Sequence, residues 1–256
     1  MSWKTFCALL ARDWHVTRRN LAFMLLQNLL QPLLLTFVFG RILVSSGMLR
    51  ETYKNILLPG TMCVCMIMSG VWGVAMPLIA EFQVTREIED RLLAPIAIGW
   101  LAMEKVVAGM IQALVAGLVV IPSAWLAMGS GVEIGLRHPL QFGGVCILVA
   151  ALAGGGGLVL GCSIDRMHVS LVFTLVVAPL ITFGCAYYPW ASLHAFPGLQ
   201  HAVLINPLVY ANEGLRGTLA PQVLHIHTTV AMAALAAIDL SLLAIGLKRF
   251  YAKAIG

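Results

Sequence analysis

ILLPGTMCVCMIMSGVWGVAMPLIA, running from Ile56 to Ala80, contains no Asp, Glu, Lys, Arg or His. About 20 such residues, wound as a helix, cross the hydrocarbon core of a bilayer. Five further stretches of this kind lie around it, giving expected spans at Leu21–Phe39, Ile56–Ala80, Val106–Met128, Leu140–Ile164, Val169–Trp190 and Thr228–Leu247. Lipid offers no partner for backbone polar groups, so spans of this length are helices. The short alternating strands of a membrane barrel are missing. Over the whole chain 60% of residues are hydrophobic and 11% charged, and the mean hydropathy is +0.92. A water-soluble domain could not cover itself with so few polar groups. The expected fold is all-α and integral to the membrane, a single transmembrane unit over residues 1–256 with six transmembrane helices.

The net charge of +5 is not a nucleic-acid signal, because no basic run with interleaved aromatics is present. Its distribution matters more. Eleven cations fall on one side of the six spans: Lys4, Arg12, Arg18, Arg19, Arg86, Arg91, Lys105, Arg166, Lys248, Arg249 and Lys253. Five fall on the other: Arg41, Arg50, Lys54, Arg137 and Arg216. The positive-inside rule then puts both termini in the cytoplasm. Charges extending to Arg19 and a long following apolar run do not make a cleavable signal peptide. Of six cysteines, Cys7 lies in the N-terminal segment and five lie inside expected spans, where they read as small buried hydrophobes.

Local patterns add detail. Residues 2–19 place Trp3, Cys7, Leu10 and Trp14 on one helical stripe, with Lys4, Arg12, His15 and Arg19 opposite. That suits a helix lying in the headgroup layer, or a soluble extension of span one. Gln27, Asn28, Gln31 and Pro32 mark a face of span one packed on another helix, in the same subunit or a second one. Between spans two and three, Arg86, Glu87, Glu89, Asp90 and Arg91 lead into Leu92, Leu93, Ala94 and Pro95. Over 81–98 this reads as a short charged helix able to dock on a partner, or as a solvated loop. Gly154 to Gly157, with Ala153 and Gly161, form a small-residue ridge that permits close helix approach and could loosen the helix. Residues 189–222 are apolar but broken by Pro189, Pro197, Pro207 and Pro221, which suggests short re-entrant helices with aromatics at headgroup depth. Asp239, the one acid read within a span, is a functional candidate or has a structural partner on a neighbouring helix. No zinc-type spacing, nucleophile motif or phosphate-binding loop is present.

Two stretches carry a resemblance that covers essentially the whole chain. Thr85-Arg86-Glu87-Ile88-Glu89-Asp90-Arg91-Leu92-Leu93-Ala94-Pro95-Ile96, followed by Glu104-Lys105, is similar to the acidic coupling helix of the type-2 ATP-binding-cassette exporter permeases. Tyr187-Tyr188-Pro189-Trp190, continuing to Asn206-Pro207-Leu208-Val209-Tyr210 and Glu213-Gly214-Leu215-Arg216-Gly217, resembles their outer hairpin, especially in the drug-resistance and nodulation-factor exporter branch. The resemblance implies a permease homodimer in the bacterial plasma (inner) membrane, bound to two copies of a separate ATPase subunit. ATP and magnesium belong to that partner, and this chain holds no cofactor or metal. Arg86, Glu87, Ile88, Glu89, Asp90, Arg91, Leu92 and Leu93 would receive the push of the ATPase. A path between subunits, lined by spans one, two and five, would draw on Gln27, Asn28, Gln31, Met66, Phe173 and Phe183. Tyr188, Trp190, Asn206, Tyr210, Glu213 and Arg216 would form the outer hairpin. Apolar walls with scattered amides and sulfurs suit an amphipathic cargo: a drug, polyketide, glycolipid or lipid-linked saccharide. The alternatives are a membrane-embedded lipid-modifying enzyme, which needs clustered catalytic groups, and a proton-coupled carrier, which needs several intramembrane acids.

Overall fold

The computed structural model describes residues 26, 29–84, 97–129, 135 and 138–255. Four helices in it are long and apolar enough to cross a membrane: α2 (Tyr53–Gln83), α3 (Ile98–Met128), α4 (Pro139–Ser163) and α8 (Thr228–Ile255). Two shorter apolar helical stretches are α1 (Leu29–Ser45) and α5 (Arg166–Thr182). Between α5 and α8 come a 3-10 turn at Trp190–Ala195, α6 (Pro197–Ala202), a second 3-10 turn at Val203–Ile205, and α7 (Pro207–Leu219). The expected interfacial helix at 2–19, Gln27, Asn28 and the coupling segment from Arg86 to Leu93 lie outside the described residues. At the edges of that segment, Glu81 to Gln83 continue α2 and Ile98 begins α3.

The bundle of α2, α3, α4 and α8 is held by backbone proximity. Helices in lipid gain little from hydrophobic association, so small residues that admit close contact take over. A side chain at Gly157 would come within 2.9 Å of the Val71 carbonyl oxygen on α2, and one at Gly154 within 2.8 Å of that of Val106 on α3. Gly70 on α2 likewise faces Ala153 and Ala113, at 2.5 and 3.1 Å. On α8 a buried stripe of Ala231, Leu235, Asp239, Gly246 and Phe250 recurs at helical spacing. Gly246 of that stripe fits against Leu158 of α4. The glycine run therefore does not loosen α4, which is continuous from Pro139 to Ser163: packing on both sides supplies what helix propensity withholds.

Several boundaries differ from the sequence reading. Helices α2 and α3 both extend beyond their uncharged stretches, to take in Lys54, Glu81, Glu104 and Lys105, all buried. Asp239 is thus not the sole acid inside the helical bundle. Span five ends at Thr182 rather than Trp190. Phe183 leaves the helical region, and Cys185 sits in a left-handed turn at φ 59° instead of inside a span. The turn is fixed from outside, because the Ala186 carbonyl lies where a side chain on Gly60 would be, 1.7 Å from the ideal Cβ. Only glycine on α2 lets the chain cross there. At the end of α3, Gly129 adopts φ 73° and its N–H closes on the Trp125 carbonyl, a helix stop that needs a residue without a side chain.

The short helices α1 and α5 are built differently from the bundle. Each contains a π turn, at Val38–Ile42 and Phe173–Val177. Helix α1 buries one stripe, Leu29, Pro32, Thr36, Gly40 and Val44, and exposes Leu30, Leu34, Phe37 and Ile42. Its Thr36 hydroxyl meets that of Thr61 on α2 at 2.6 Å. Within α5 only Val177 is buried.

Candidate functional site

A cleft of about 220 Å³ opens between α1, α2, α5 and the turn that follows α5. Gln31, Pro32 and Leu35 come from α1, Val64 and Met68 from α2, and Phe173, Ala178, Ile181 and Thr182 from α5, with Tyr187 at one end. Phe173 is oriented by stacking on Trp72 of α2, with centroids 4.8 Å apart and planes at 29°. Tyr187 is set by its backbone, whose carbonyl accepts a 2.8 Å hydrogen bond from the Tyr53 hydroxyl. The exposed Gln31 amide and the hydroxyls of Thr182 and Tyr187 are polar points on an otherwise apolar wall. Such a surface orients a mostly apolar molecule through a few hydrogen bonds.

Of the residues expected along a path, Gln31 and Phe173 reach this cleft. Met66 does not: it is fully buried on another face of α2, against Gly117 of α3. Phe183 points into a separate groove with Leu199 and Ile205. The sequence reading missed Thr182, Val64 and Tyr187 as lining groups. The period of spans two and five could have placed the first two on a shared face, had the facing helices been known.

Beside the cleft, α7 anchors the hairpin through a buried polar network. Asn206 is a natural start for this helix, since Pro207 follows it at the first helical position. Its side chain accepts from the Leu208 N–H at 3.0 Å and donates to the Leu180 carbonyl of α5 at 2.7 Å. One turn on, Asn212 donates to the Gly184 carbonyl at 2.7 Å. Glu213 and Arg216 form an ion pair with both side chains fully buried. Arg216 donates to the Cys185 carbonyl at 2.8 Å. The two Glu213 oxygens accept from the backbone N–H groups of Trp190, at 3.0 Å, and Ile226, at 2.9 Å. The Trp190 indole donates to the Gln200 carbonyl at 3.0 Å. Tyr188 and Trp190 pack on Cys185, Val203 and Val209, while Tyr210 packs on the main core. Of the six residues expected in a hairpin, Tyr188, Trp190, Asn206, Glu213 and Arg216 thus tie α7 to its flanking loops and to the end of α5, while Tyr210 faces the main core.

At the opposite end of the bundle, the Lys105 ammonium of α3 donates to Glu81 of α2 at 2.8 Å, with both residues buried. Glu104 lies 3.9 Å from the same ammonium. This clasp closes the two helix ends that flank residues 85–96. Gln83 extends it, accepting from the Arg166 N–H at 2.8 Å and donating to the Ile164 carbonyl at 3.2 Å. The ends of α2, α4 and α5 are thereby joined.

Asp239 stands apart from these networks. It is buried on the inward stripe of α8, and neither carboxylate oxygen has a hydrogen-bond partner among the described residues. The structural partner considered from the sequence is not found there.

No curated protein sequence matches this chain significantly. A family model does: that of the ABC-2 type transporter membrane domain aligns with residues 4–220. The matched region takes in α1 to α7, including the cleft, the clasp and the hairpin network. With most of its length matched and its long apolar helices bundled as a multi-pass membrane protein, the chain belongs to the ABC-2 type transporter family.

Proposed function

We propose that this permease subunit moves an amphipathic or lipid-like substrate outward across the bacterial plasma membrane as a homodimer. Membership of the family implies a partnering ATPase subunit. In our reading two copies of that subunit hold the ATP and magnesium. They drive the cycle through the segment from Arg86 to Leu93. Both termini face the cytoplasm, in line with the eleven-to-five division of cations. The cargo is a drug, polyketide, glycolipid or lipid-linked saccharide.

The observation that carries this reading is the cleft between α1, α2 and α5. Its apolar wall accepts an alkyl or aromatic body, and Gln31 with Thr182 offers a polar head two or three hydrogen bonds at most. An inorganic ion would need far more oxygen ligands than this wall offers. The Lys105–Glu81 clasp supports the coupling part of the reading. It braces the helix ends on either side of residues 85–96, so a push there moves α2 and α3 as a body.

The test is a reconstituted complex of this chain with its ATPase partner subunit. ATP-dependent uptake of a fluorescent amphiphile into inverted vesicles is the expected result. Glu87→Ala together with Leu92→Ala is expected to abolish substrate-stimulated ATP hydrolysis while membrane insertion persists. Unchanged stimulation in that variant rules out the coupling assignment, and ATP-independent uptake rules out the powered exporter.

A further inference from the structure

Helix α5 has a second open side. Facing away from the cleft, Val176 and Leu180 line two adjoining cavities, of about 190 and 520 Å³. The smaller reaches into the bundle as far as Gly156 of α4 and Leu242 of α8. The larger runs out past Phe183 to Leu199 and Ile205 at the hairpin, with Ile205 86% exposed. Val176 and Leu180 belong to both linings, so the two lie side by side along α5 and together form an open trough on this side of the helix, from Gly156 to the hairpin.

We propose that this trough is a binding site for one phospholipid acyl chain, entering from the hairpin side. Its lining contains one polar side chain, Asn206, whose amide is already committed to Leu180 and Leu208. An open apolar groove of this kind offers water almost no hydrogen-bond partners. Left empty, it would deprive the walls of α5, α4 and α8 of dispersion contacts. In a membrane protein the trough opens into hydrocarbon, so an acyl chain is the occupant at hand. The glycine run of α4 points the same way. Gly154 and Gly157 are demanded by neighbouring backbones within 3 Å, whereas a Cβ on Gly156 would meet nothing closer than Val71 at 3.9 Å. Helix packing does not account for Gly156, and the missing side chain there forms the floor of the trough. The occupied trough would back α5 with a deformable filler in place of protein, leaving the helix able to shift without opening a void. The assignment depends on the membrane placement of the chain and is independent of the cargo and direction proposed above.

The probe is a phosphatidylglycerol carrying a diazirine in the middle of one acyl chain, mixed into phosphatidylethanolamine vesicles holding the full chain with its ATPase partner. Photolysis and peptide mapping should concentrate label on 152–160, 175–183 and 199–208, above the level on the exposed α8 residues Leu240 and Ile245. Gly156→Leu fills the floor and is expected to cut trough labelling about tenfold, as displacing two methylene groups would, with α8 labelling unchanged. Leu199→Trp narrows the mouth and gives a second obstruction outside the bundle. Label in the unsubstituted protein no denser in the trough than on α8 overturns the proposal, whatever the variants do. So does trough labelling indifferent to both obstructions. Efficient disulfide formation between copies of a Val176→Cys protein would assign the trough to a second subunit and overturn it as well.

Discussion

The bundle of α2, α3, α4 and α8 and the pair α1 and α5 are made from the same apolar residues, yet they follow opposite packing rules. In the bundle, glycine and alanine bring backbones together, and Gly70, Gly154 and Gly157 admit no side chain. In the pair, π turns interrupt the helices, one stripe or a single residue is buried, and cavities lie on both sides of α5. Lipid gives helices no hydrophobic reason to associate, so close packing is what resists displacement. By that measure the resistance is concentrated in the bundle and in the cap that α7 ties to it. Helix α5 is attached chiefly at its ends and by the Trp72–Phe173 stack. A transporter needs this division, a fixed block and a wall that can change position.

The largest effect should come from breaking the cap. Arg216→Met leaves Glu213 fully buried without its cation, a change that costs about 3–5 kcal/mol. The midpoint for heat-induced loss of a monodisperse detergent peak should fall sharply. An Arg216→Met protein as heat-resistant as its parent would show that the network does not anchor the hairpin. Next in size is a paired test within one glycine run. Gly157→Leu drives a side chain into the Val71 backbone and should cost about 1–3 kcal/mol or more, typical of overpacking. Gly156→Ala, one residue away, should stay within about 0.5 kcal/mol, because its methyl meets only Val71, at an ordinary contact distance of 3.9 Å. Equal losses at the two positions would erase the distinction between bundle and trough.

How far these features could be read from the residues depends on what each one touches. The uncharged run from Ile56 to Ala80 located α2 to within three residues at either end. The true ends were hidden because Lys54 and Glu81 look like loop charges. They enter the helix because partners are near, Lys105 for Glu81 and Glu51 for Lys54. Likewise, hydropathy alone carries span five on to Trp190. What ends it at Thr182 is the passage of Ala186 across Gly60, a contact between segments far apart in sequence. The i,i+3 spacing of Glu213 and Arg216 was visible. Their burial was not, since the groups that satisfy them, the Cys185 carbonyl and the N–H groups of Trp190 and Ile226, belong to loops whose positions follow from the fold. Gln31 was legible as a polar residue on an apolar helix. Met66 carried no mark that would separate a core sulfur from one on the cleft, because only the neighbour, Gly117, decides which it is.

Smaller effects should separate the movable wall from the block. Trp72→Ala removes the stack that holds Phe173 and is expected to cost about 0.5–1.5 kcal/mol beyond lost area, less than Arg216→Met. Its stronger signature should be functional: basal ATP hydrolysis by the complex persists while the substrate concentration for half-maximal stimulation rises. Unaltered stimulation would mean that α5 is positioned by its ends alone.

The smallest change in stability, and the most selective change in activity, is expected from Gln31→Leu. The side chain is exposed on the wall of the cleft and no described group depends on it, so stability should move by no more than about 0.5 kcal/mol. If the cleft receives the polar head of an amphiphile, losing the amide removes one hydrogen bond, worth about 0.5–1.5 kcal/mol. Half-maximal stimulation should then require roughly three- to tenfold more of a head-bearing substrate. A matched alkane or aromatic without the head group should be affected little or should bind better. A uniform loss for both kinds of compound would point to a rearranged α1 rather than a missing contact. No change for either would move the substrate out of this cleft, leaving the contrast between bundle and wall as a property of packing alone.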